Sequence, residues 1–266
     1  MLGALSPARR RFVLAVVSLL GLTLAVVAVV VWRSQPAPVT PVAQSRLGPV
    51  LLVPGYGGST SSLDELAAAL RRTGRDVSVV RLPDHGTGDL RRQAQVLGDA
   101  ASAAIRRTGS PSVDVVGYSA GGVVARLWVR GDGGGNLARR VVSLGSPQHG
   151  TDVAALATDL TSESCPVACQ QLATDSDLLR GLNAGDETPA GPAWVSIWTT
   201  DDKTVVPPES ASLAGALDFS VQSVCPSATV SHGSLPSDPA VIAMTIDVLG
   251  VRTPVRPGAD VCSVSP

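Results

Sequence analysis

A serine stands between two glycines at the point where a strand pattern changes into a helix pattern. In VDVVGYSAGGVVARLW, residues 113–128, an apolar run leads into Gly117-Tyr118-Ser119-Ala120-Gly121, and a helical apolar pattern follows. A sharp turn between a strand and a helix holds a serine hydroxyl exposed, and glycines beside it leave room for the neighbouring backbone. The pattern therefore indicates a nucleophile, Ser119, at the amino end of a helix that favours negative charge nearby.

A serine hydroxyl needs a base that removes its proton, and the chain has three histidines. His85 precedes the serine, and His149 directly follows the next strand pattern with no acid at a strand end between it and the serine. His232 lies after the last strand pattern and before the last helix, where the base stands in the chain order nucleophile, acid, histidine. We therefore predict His232 as the base, and His85 and His149 as residues of the surrounding loops.

The base needs a carboxylate that orients it and stabilises it when protonated. Asp201 and Asp202 end the strand pattern that precedes His232. Adjacent side chains on an extended backbone point in opposite directions, so only one of the two can serve. The residues themselves leave the choice between Asp201 and Asp202 open.

The glycine-rich stretch PGYGG, residues 54–58, follows the first strand pattern of the domain. Its glycines let the backbone bend until an amide points into a pocket, so we expect Tyr56 N–H and Ala120 N–H to form an oxyanion hole. The stretch lacks the spacing G-x-G-x-x-G, and the sequence G-K-[ST] does not occur in the chain. A phosphate-binding loop is therefore not expected.

Strand and helix patterns alternate through the domain. Apolar strand patterns occur in VLLV, DVSVVRL, SVDVVGYS, RRVVSLGSP and AWVSIWTT, with DFSVQSV as a candidate sixth. This alternation predicts an α/β fold with a mostly parallel central sheet and helices on both faces, and the candidate residues fall at the carboxyl ends of its strands. Residues 151–192 are too long for an ordinary connection, and both a cap or lid and a surface insert away from the substrate fit them.

The composition bears on two questions: whether the protein binds nucleic acid, and whether it lies in an oxidising compartment. The chain has 266 residues and a formal net charge of −1, which gives no reason to expect a nucleic-acid partner. Its four cysteines fall in the part predicted to lie outside the cytoplasm and favour two disulfides, with Cys165–Cys169 and Cys225–Cys262 as the preferred pairing. A zinc site is not expected, because neither C-x-x-C nor clustered histidine accompanies the thiols.

The N-terminus predicts a membrane anchor. Three arginines, residues 9–11, precede an uncharged run from Phe12 to Trp32 that as a helix would be about 31 Å long, close to the thickness of a bilayer core. A single Arg33 follows, so we expect the N-terminus in the cytoplasm and the domain outside. The rival is a cleaved signal peptide and a secreted protein, although the run ends in Val-Val-Val-Trp-Arg, a poor cleavage site. The predicted organisation is an anchor at 1–33, a proline-rich linker at 34–46 and a catalytic domain at 47–266.

Six motifs in order resemble one family. They are VPGYGG, LPDHGTGDL, VDVVGYSAGGVVARLW, VSLGSPQHGT, SIWTTDDKTVVPP and VSHGSLPSDPAVI. Together they resemble the α/β-hydrolase fold and, within it, the class 2-like bacterial triacylglycerol lipases and esterases, from about Pro49 to Gly250. Many members carry histidine directly before the serine, where this chain has Tyr118; because that residue is not part of the triad, we expect the departure to bear only on the local shape of the pocket.

The resemblance implies a site and a reaction. In such lipases the acid is an Asp followed by two residues and then Val before a Pro, so the resemblance prefers Asp202 to Asp201. It also implies Tyr56 and Ala120 as the oxyanion donors. The implied reaction is hydrolysis of a lipid or other carboxylic ester through an acyl-enzyme, with no metal or organic cofactor. An acyltransferase that passes the acyl group to an alcohol, and a non-catalytic surface module, are the alternatives.

Overall fold

The computed structural model describes residues 7–33, 39–131, 133–152 and 165–263. The chain divides into two units, Met1–Pro38 and Val39–Pro266. Helix α1, Pro7–Arg33, belongs to the first unit. Among the described residues, no helix has the length and apolarity needed to cross a membrane, and the N-terminal anchor stays a prediction.

The second unit is built on a parallel sheet. Within the described residues the sheet has six strands in the order β2-β1-β3-β4-β5-β6, and every neighbouring pair is parallel. The strands are β1 Val50–Val53, β2 Val77–Val79, β3 Val113–Tyr118, β4 Ala138–Leu144, β5 Ala193–Trp198 and β6 Leu217–Ser220. The prediction of an α/β fold around a parallel sheet is confirmed.

Helices connect the strands. They are α2 Asp64–Arg72, α3 Leu90–Thr108, α4 Ala120–Gly131, α5 Val167–Gln171, α6 Asp177–Asn183, α7 Val221–Val224 and α8 Pro239–Val248. Asp238 caps α8 by accepting hydrogen bonds from the first helical amides, and Gly109 ends α3 in the left-handed conformation. These caps fix where α8 begins and where α3 ends.

Both faces of the sheet are buried, because successive side chains of a strand point to opposite faces. In β1, Leu51 and Val53 belong to an apolar cluster that includes residues of α3 and α4. Val50 and Leu52 belong to a second cluster, which includes residues of α2 and α8. The sheet is therefore covered on both sides. The candidate nucleophile, base and orienting carboxylate lie in the segments that follow its strands, outside the two apolar clusters.

The candidate sixth strand is only partly extended. β6 ends at Ser220, and the second half of DFSVQSV forms α7. The Ser220 hydroxyl accepts a hydrogen bond from Ser223 N at 3.2 Å, which caps the helix and ends the strand. An N-cap serine inside an apolar run thus overrides its strand propensity.

Both predicted disulfides are present. Cys165 is bonded to Cys169, and Cys225 to Cys262, which attaches the C-terminal segment to the loop after α7. The first disulfide belongs to the long connection at 151–192. Residues 153–164 of that connection lie outside the described residues, so the cap or lid stays a prediction, whereas its later part packs into the core through side chains of α5 and α6.

Candidate active site

The candidate nucleophile occupies a strained position between β3 and α4. Ser119 has a φ of +52°, and the helix begins at the next residue. A non-glycine residue in this region costs on the order of 1–3 kcal/mol. Tertiary contacts hold it there: Ser119 N donates to Leu144 O on the neighbouring strand at 2.8 Å. The strand–turn–helix therefore fixes the direction of the hydroxyl before any substrate binds.

Two glycines permit this turn. A Cβ added to Gly117 would lie 2.5 Å from the carbonyl of Gly121, and one added to Gly121 would lie 2.3 Å from Val53 O. Real Cβ atoms do not approach backbone so closely, so strand and helix would have to separate. The glycines on either side of Ser119 are thus required by packing, as the sequence pattern predicts.

The structure brings together three residues that are far apart in the chain. Ser119 Oγ lies 3.0 Å from His232 Nε2, and His232 Nδ1 lies 2.7 Å from Asp202 Oδ2. Asp202 and His232 are 5% and 8% exposed, so little water competes for these hydrogen bonds. The bond to Asp202 assigns the imidazole proton to Nδ1, which leaves Nε2 free to accept the serine proton. A hydroxyl, an imidazole and a carboxylate in this arrangement are the parts of nucleophilic acyl transfer.

The two adjacent aspartates have different partners. Asp202 Oδ1 accepts hydrogen bonds from the backbone amides of Thr204 and Val205, both at 2.8 Å, which leaves Oδ2 for the imidazole. Asp201 turns away: its Oδ2 accepts from Gln222 Nε2 at 3.2 Å and from Val230 N at 3.3 Å. The carboxylate in contact with His232 is therefore the one that the resemblance prefers.

The glycine-rich loop lies beside the serine. A Cβ added to Gly55 would lie 2.9 Å from Ser119 Cβ and 3.5 Å from Ser119 Oγ. Among the residues that the structure describes, neither Tyr56 N nor Ala120 N donates a hydrogen bond to a protein acceptor. Both amides are thus available to a ligand, and Ala120 N adds the positive end of the α4 dipole.

The other two histidines lie in neighbouring loops. His85 is exposed, and its backbone packs against the glycine-rich loop, since a Cβ added to Gly58 would lie 2.8 Å from His85 C. His149 Nε2 lies 2.9 Å from Glu187 Oε1. Burial alone would raise the pKa of Glu187, but the hydrogen bonds from His149 and from the Ala214 amide outweigh it and lower that pKa. Neither histidine shares a hydrogen bond with Ser119.

A buried arginine of α4 forms hydrogen bonds with the long segment at 151–192. Arg126 is fully buried, and its guanidinium donates to Leu182 O at 3.2 Å, Glu187 O at 3.0 Å and Asn183 Oδ1 at 3.0 Å. Burial lowers the pKa of Arg126 to about 10, so it remains charged at neutral pH. Sequence reasoning missed this residue, although a lone charge inside an apolar helix pattern was its signal.

Tyr118 contacts the candidate base. Its hydroxyl donates to the main-chain O of His232 at 3.2 Å, and the centroids of the two rings are 5.2 Å apart. Burial first, and the charge of Asp202 second, raise the pKa of Tyr118 to about 12. The sequence carries no local signal for this contact. Within the described residues, no group of three or more His, Cys, Asp or Glu side chains is placed to hold a metal ion.

A parallel sheet covered on both faces, with a serine on the sharp turn between β3 and α4, defines the α/β-hydrolase class. A family model described as Lipase (class 2) matches residues 101–219. No curated protein matches the chain. The family-model match covers less than half of the chain, so the chain is similar to class 2 lipases over these residues, and the match and the fold support a carboxylic ester hydrolase.

Solved structures share the fold. Lipase B of Aspergillus fumigatus is 20% identical, with 80% of this chain and 54% of that chain covered and a TM-score of 0.65. Lipase BlEst2 of Bacillus licheniformis in its mature form is 17% identical, with 80% and 96% covered and a TM-score of 0.64. The lin2722 gene product of Listeria innocua is 16% identical, with 80% and 97% covered and a TM-score of 0.55. The chain spans about half the length of the fungal lipase and of BlEst2 with its propeptide.

Proposed function

We propose that the protein hydrolyses carboxylic esters with Ser119 as nucleophile, His232 as general base and acid, and Asp202 as the carboxylate that orients the imidazole. The observation that carries the proposal is the line of two hydrogen bonds, 2.7 Å and 3.0 Å long, from Asp202 through His232 to Ser119. The strained backbone at Ser119 also supports the proposal, as do the amides of Tyr56 and Ala120, which donate to no acceptor in the described part of the chain. The expected substrate is a lipid or another ester.

Acylation is the first half of the reaction. His232 Nε2 takes the proton from Ser119 Oγ as this oxygen attacks the ester carbonyl carbon, and the carbonyl electron pair moves onto its oxygen. Tyr56 N–H and Ala120 N–H donate to that oxyanion, and one such donor is typically worth about 10²–10³ in rate. The bond to the alcohol oxygen then breaks, and His232 returns the proton to the departing alcohol.

Deacylation repeats the steps with water. His232 takes a proton from water, the hydroxide attacks the acyl carbon, and the bond from this carbon to Ser119 Oγ breaks. The proton returns to Ser119, and a carboxylic acid is released. Neither half needs a metal ion or an organic cofactor, since the imidazole moves every proton and the amides hold the charge.

A fluorophosphonate probe tests the nucleophile directly, because it reacts only with an activated serine. We expect the wild type to be labelled and Ser119→Ala not to be, and kcat to fall by on the order of 10⁶. Ser227→Ala is the matched control, because Ser227 is exposed and makes no side-chain hydrogen bond in the described part of the chain. It should label and turn over like the wild type.

The same assay separates the alternatives. Short and long p-nitrophenyl esters are supplied with and without an alcohol acceptor, and the products are identified. Free acid as the main product supports hydrolysis, whereas a new ester as the main product shows an acyltransferase. A wild type that neither labels nor cleaves any ester would overturn the enzymatic proposal in favour of a non-catalytic module.

We propose further that the domain is anchored to the cell membrane and lies outside the cytoplasm. The uncharged run between Phe12 and Trp32, with three arginines before it, supports the anchor. The two disulfides support an oxidising compartment. Fractionation of cells should recover the protein with membranes and release it only with detergent. Protein free in the medium that begins between residues 34 and 46 would instead show a cleaved segment and a secreted enzyme.

A further inference from the structure

One hydrogen bond connects the turn that carries Ser119 to the loop that carries His232. Tyr118 is the residue directly before Ser119, so its backbone belongs to the same rigid turn. Its hydroxyl donates to His232 O at 3.2 Å, across 114 positions of sequence. The contact therefore fixes the main chain of the base relative to the main chain of the nucleophile.

Among the described residues, the bonds between main-chain groups of the histidine loop are local. Leu235 N donates to His232 O at 3.3 Å, and Ser234 N donates to Ser231 O at 3.0 Å. Residues before the histidine are held to the loop of the acid, since Thr199 Oγ1 donates to Val230 O at 2.7 Å. In the described part of the chain, Tyr118 is the side chain that donates to the main chain of His232. Without its hydroxyl, the imidazole would keep its bonds to Asp202 and Ser119, but neither bond holds the main chain of the base to the turn of Ser119.

The ring of Tyr118 adds a second contact. Its centroid lies 5.2 Å from the centroid of the imidazole, with 35° between the two planes. An aromatic ring at this distance attracts a cation, and the imidazole becomes a cation whenever it holds the serine proton. The hydroxyl therefore holds His232 in position, and the ring stabilises the positive charge that the imidazole gains during the reaction.

Tyr118 stays a hydrogen-bond donor over the whole range in which the site would work. A phenolate has no proton to give and would repel the carbonyl oxygen of His232. Burial and the nearby Asp202 carboxylate raise the pKa of Tyr118 to about 12, so the phenol is neutral at physiological and moderately alkaline pH.

We propose that Tyr118 is a positioning residue, whose hydroxyl holds the loop of His232 at the distance at which Nε2 can take the proton of Ser119. This inference rests on the proposed function of Ser119 and His232. It predicts a loss in the chemical step rather than in substrate binding, because Tyr118 acts through the base. A misplacement of about 1 Å can cost on the order of 10² in rate.

The test uses Tyr118→Phe, which keeps the ring and removes only the hydroxyl. We expect kcat on a p-nitrophenyl ester to fall roughly 10- to 100-fold with KM within about twofold, and the fluorophosphonate labelling rate to fall by the same factor. Tyr118→Leu, which also removes the ring, should lower kcat further. If Tyr118→Leu and Tyr118→Phe have equal kcat, the ring does not contribute and that part of the proposal is wrong.

Ser110→Ala is the matched control. The Ser110 hydroxyl donates to Ser112 O at 3.0 Å, just before β3, so this variant also loses a bond from a side chain to the main chain, but at the opposite end of the strand from Ser119. Thermal unfolding midpoints show whether the variants are equally folded. A midpoint lowered equally in both variants, with kcat lowered only in Tyr118→Phe, supports positioning.

Different results would overturn the positioning role and the proposed function. If Tyr118→Phe keeps kcat within about twofold of the wild type while Ser119→Ala abolishes labelling, the positioning role is overturned and the triad stands. If the wild type does not label, the proposed function itself fails. If Tyr118→Phe unfolds at the assay temperature, its labelling rate is measured at a lower temperature at which it is folded, and a wild-type labelling rate there overturns the role.

Discussion

The substitution Asp202→Asn would replace one carboxylate oxygen with an NH₂ group. Both oxygens of Asp202 accept hydrogen bonds. Oδ1 accepts from the amides of Thr204 and Val205 at 2.8 Å, and Oδ2 accepts from His232 Nδ1 at 2.7 Å. The single remaining oxygen should stay with the two backbone donors, because an NH₂ group there would repel them. The NH₂ group then faces His232 Nδ1, which must give up its proton to accept.

The consequence is the wrong tautomer of the base. With the proton on Nε2, the imidazole can no longer accept from Ser119 Oγ, although every heavy atom keeps its place. The same exchange in a serine protease triad lowers kcat about 10⁴-fold, which corresponds to roughly 5 kcal/mol of transition-state stabilisation. We expect a loss of this size for Asp202→Asn, with KM nearly unchanged because the carboxylate does not touch the substrate.

The matched control is the same exchange one residue earlier. Asp201 does not contact His232, and its bonds from Gln222 and Val230 are long, at 3.2 and 3.3 Å. Asp201→Asn should therefore keep kcat within about fivefold of the wild type, because Asp201 does not orient the base and the asparagine oxygen can still accept both hydrogen bonds. Steady-state hydrolysis of a short p-nitrophenyl ester measures both constants, and circular dichroism confirms folding.

Two results would refute this reasoning. A larger loss for Asp201→Asn than for Asp202→Asn would show that the acid has been assigned to the wrong residue. Near wild-type kcat in both variants would show that neither carboxylate orients the base, and the proposed triad would then lack its third member.

Other substitutions test the packing, and urea-induced unfolding measures each of them. Gly117→Ala should lower the free energy of unfolding by about 3 kcal/mol, because its Cβ would meet backbone at 2.5 Å, whereas Gly181→Ala, with no atom within 4 Å, should raise it by about 0.5–1 kcal/mol. Loss of the Cys225–Cys262 disulfide, which joins residues 37 apart, should cost about 4 kcal/mol, against about 2 kcal/mol for the disulfide with a separation of 4. The folded pKa of Tyr118, about 12, lies above its ordinary value of 10, so its stabilisation is complete below pH 10 and is lost as the pH rises towards 12; the stability advantage of the wild type over Tyr118→Phe should shrink across that window.

The fold is predictable from the sequence because its signals are local. An apolar run followed by a helical pattern predicts β3 and α4, and the structure has them at Val113–Tyr118 and Ala120–Gly131. The same reasoning fails where two local signals compete within a few residues. In DFSVQSV the apolar pattern favours a strand throughout, but the serine at position 220 caps a helix and ends β6.

Contacts across the site are not local, and the sequence predicts them less well. The residues alone left Asp201 and Asp202 equivalent, because the choice depends on which carboxylate the backbone amide of Thr204 turns towards the imidazole. The contact of Tyr118 with His232 was not predicted, since it joins two loops through space. Arg126 was missed for a similar reason: its acceptors are carbonyls of a distant segment, and no pattern reports where carbonyls point.

Backbone strain is informative where sequence patterns end. Among the described residues, the non-glycine residues with positive φ are Asp84, His85 and Ser119. Ser119 carries the hydroxyl, and the backbone of His85 packs on the glycine-rich loop at Gly58, two residues after the expected oxyanion donor Tyr56. Local propensity disfavours all three conformations, so tertiary contacts must hold them. Since Ser119 is one of these residues, a position that local sequence preference predicts poorly is the position where we propose that the chemistry occurs.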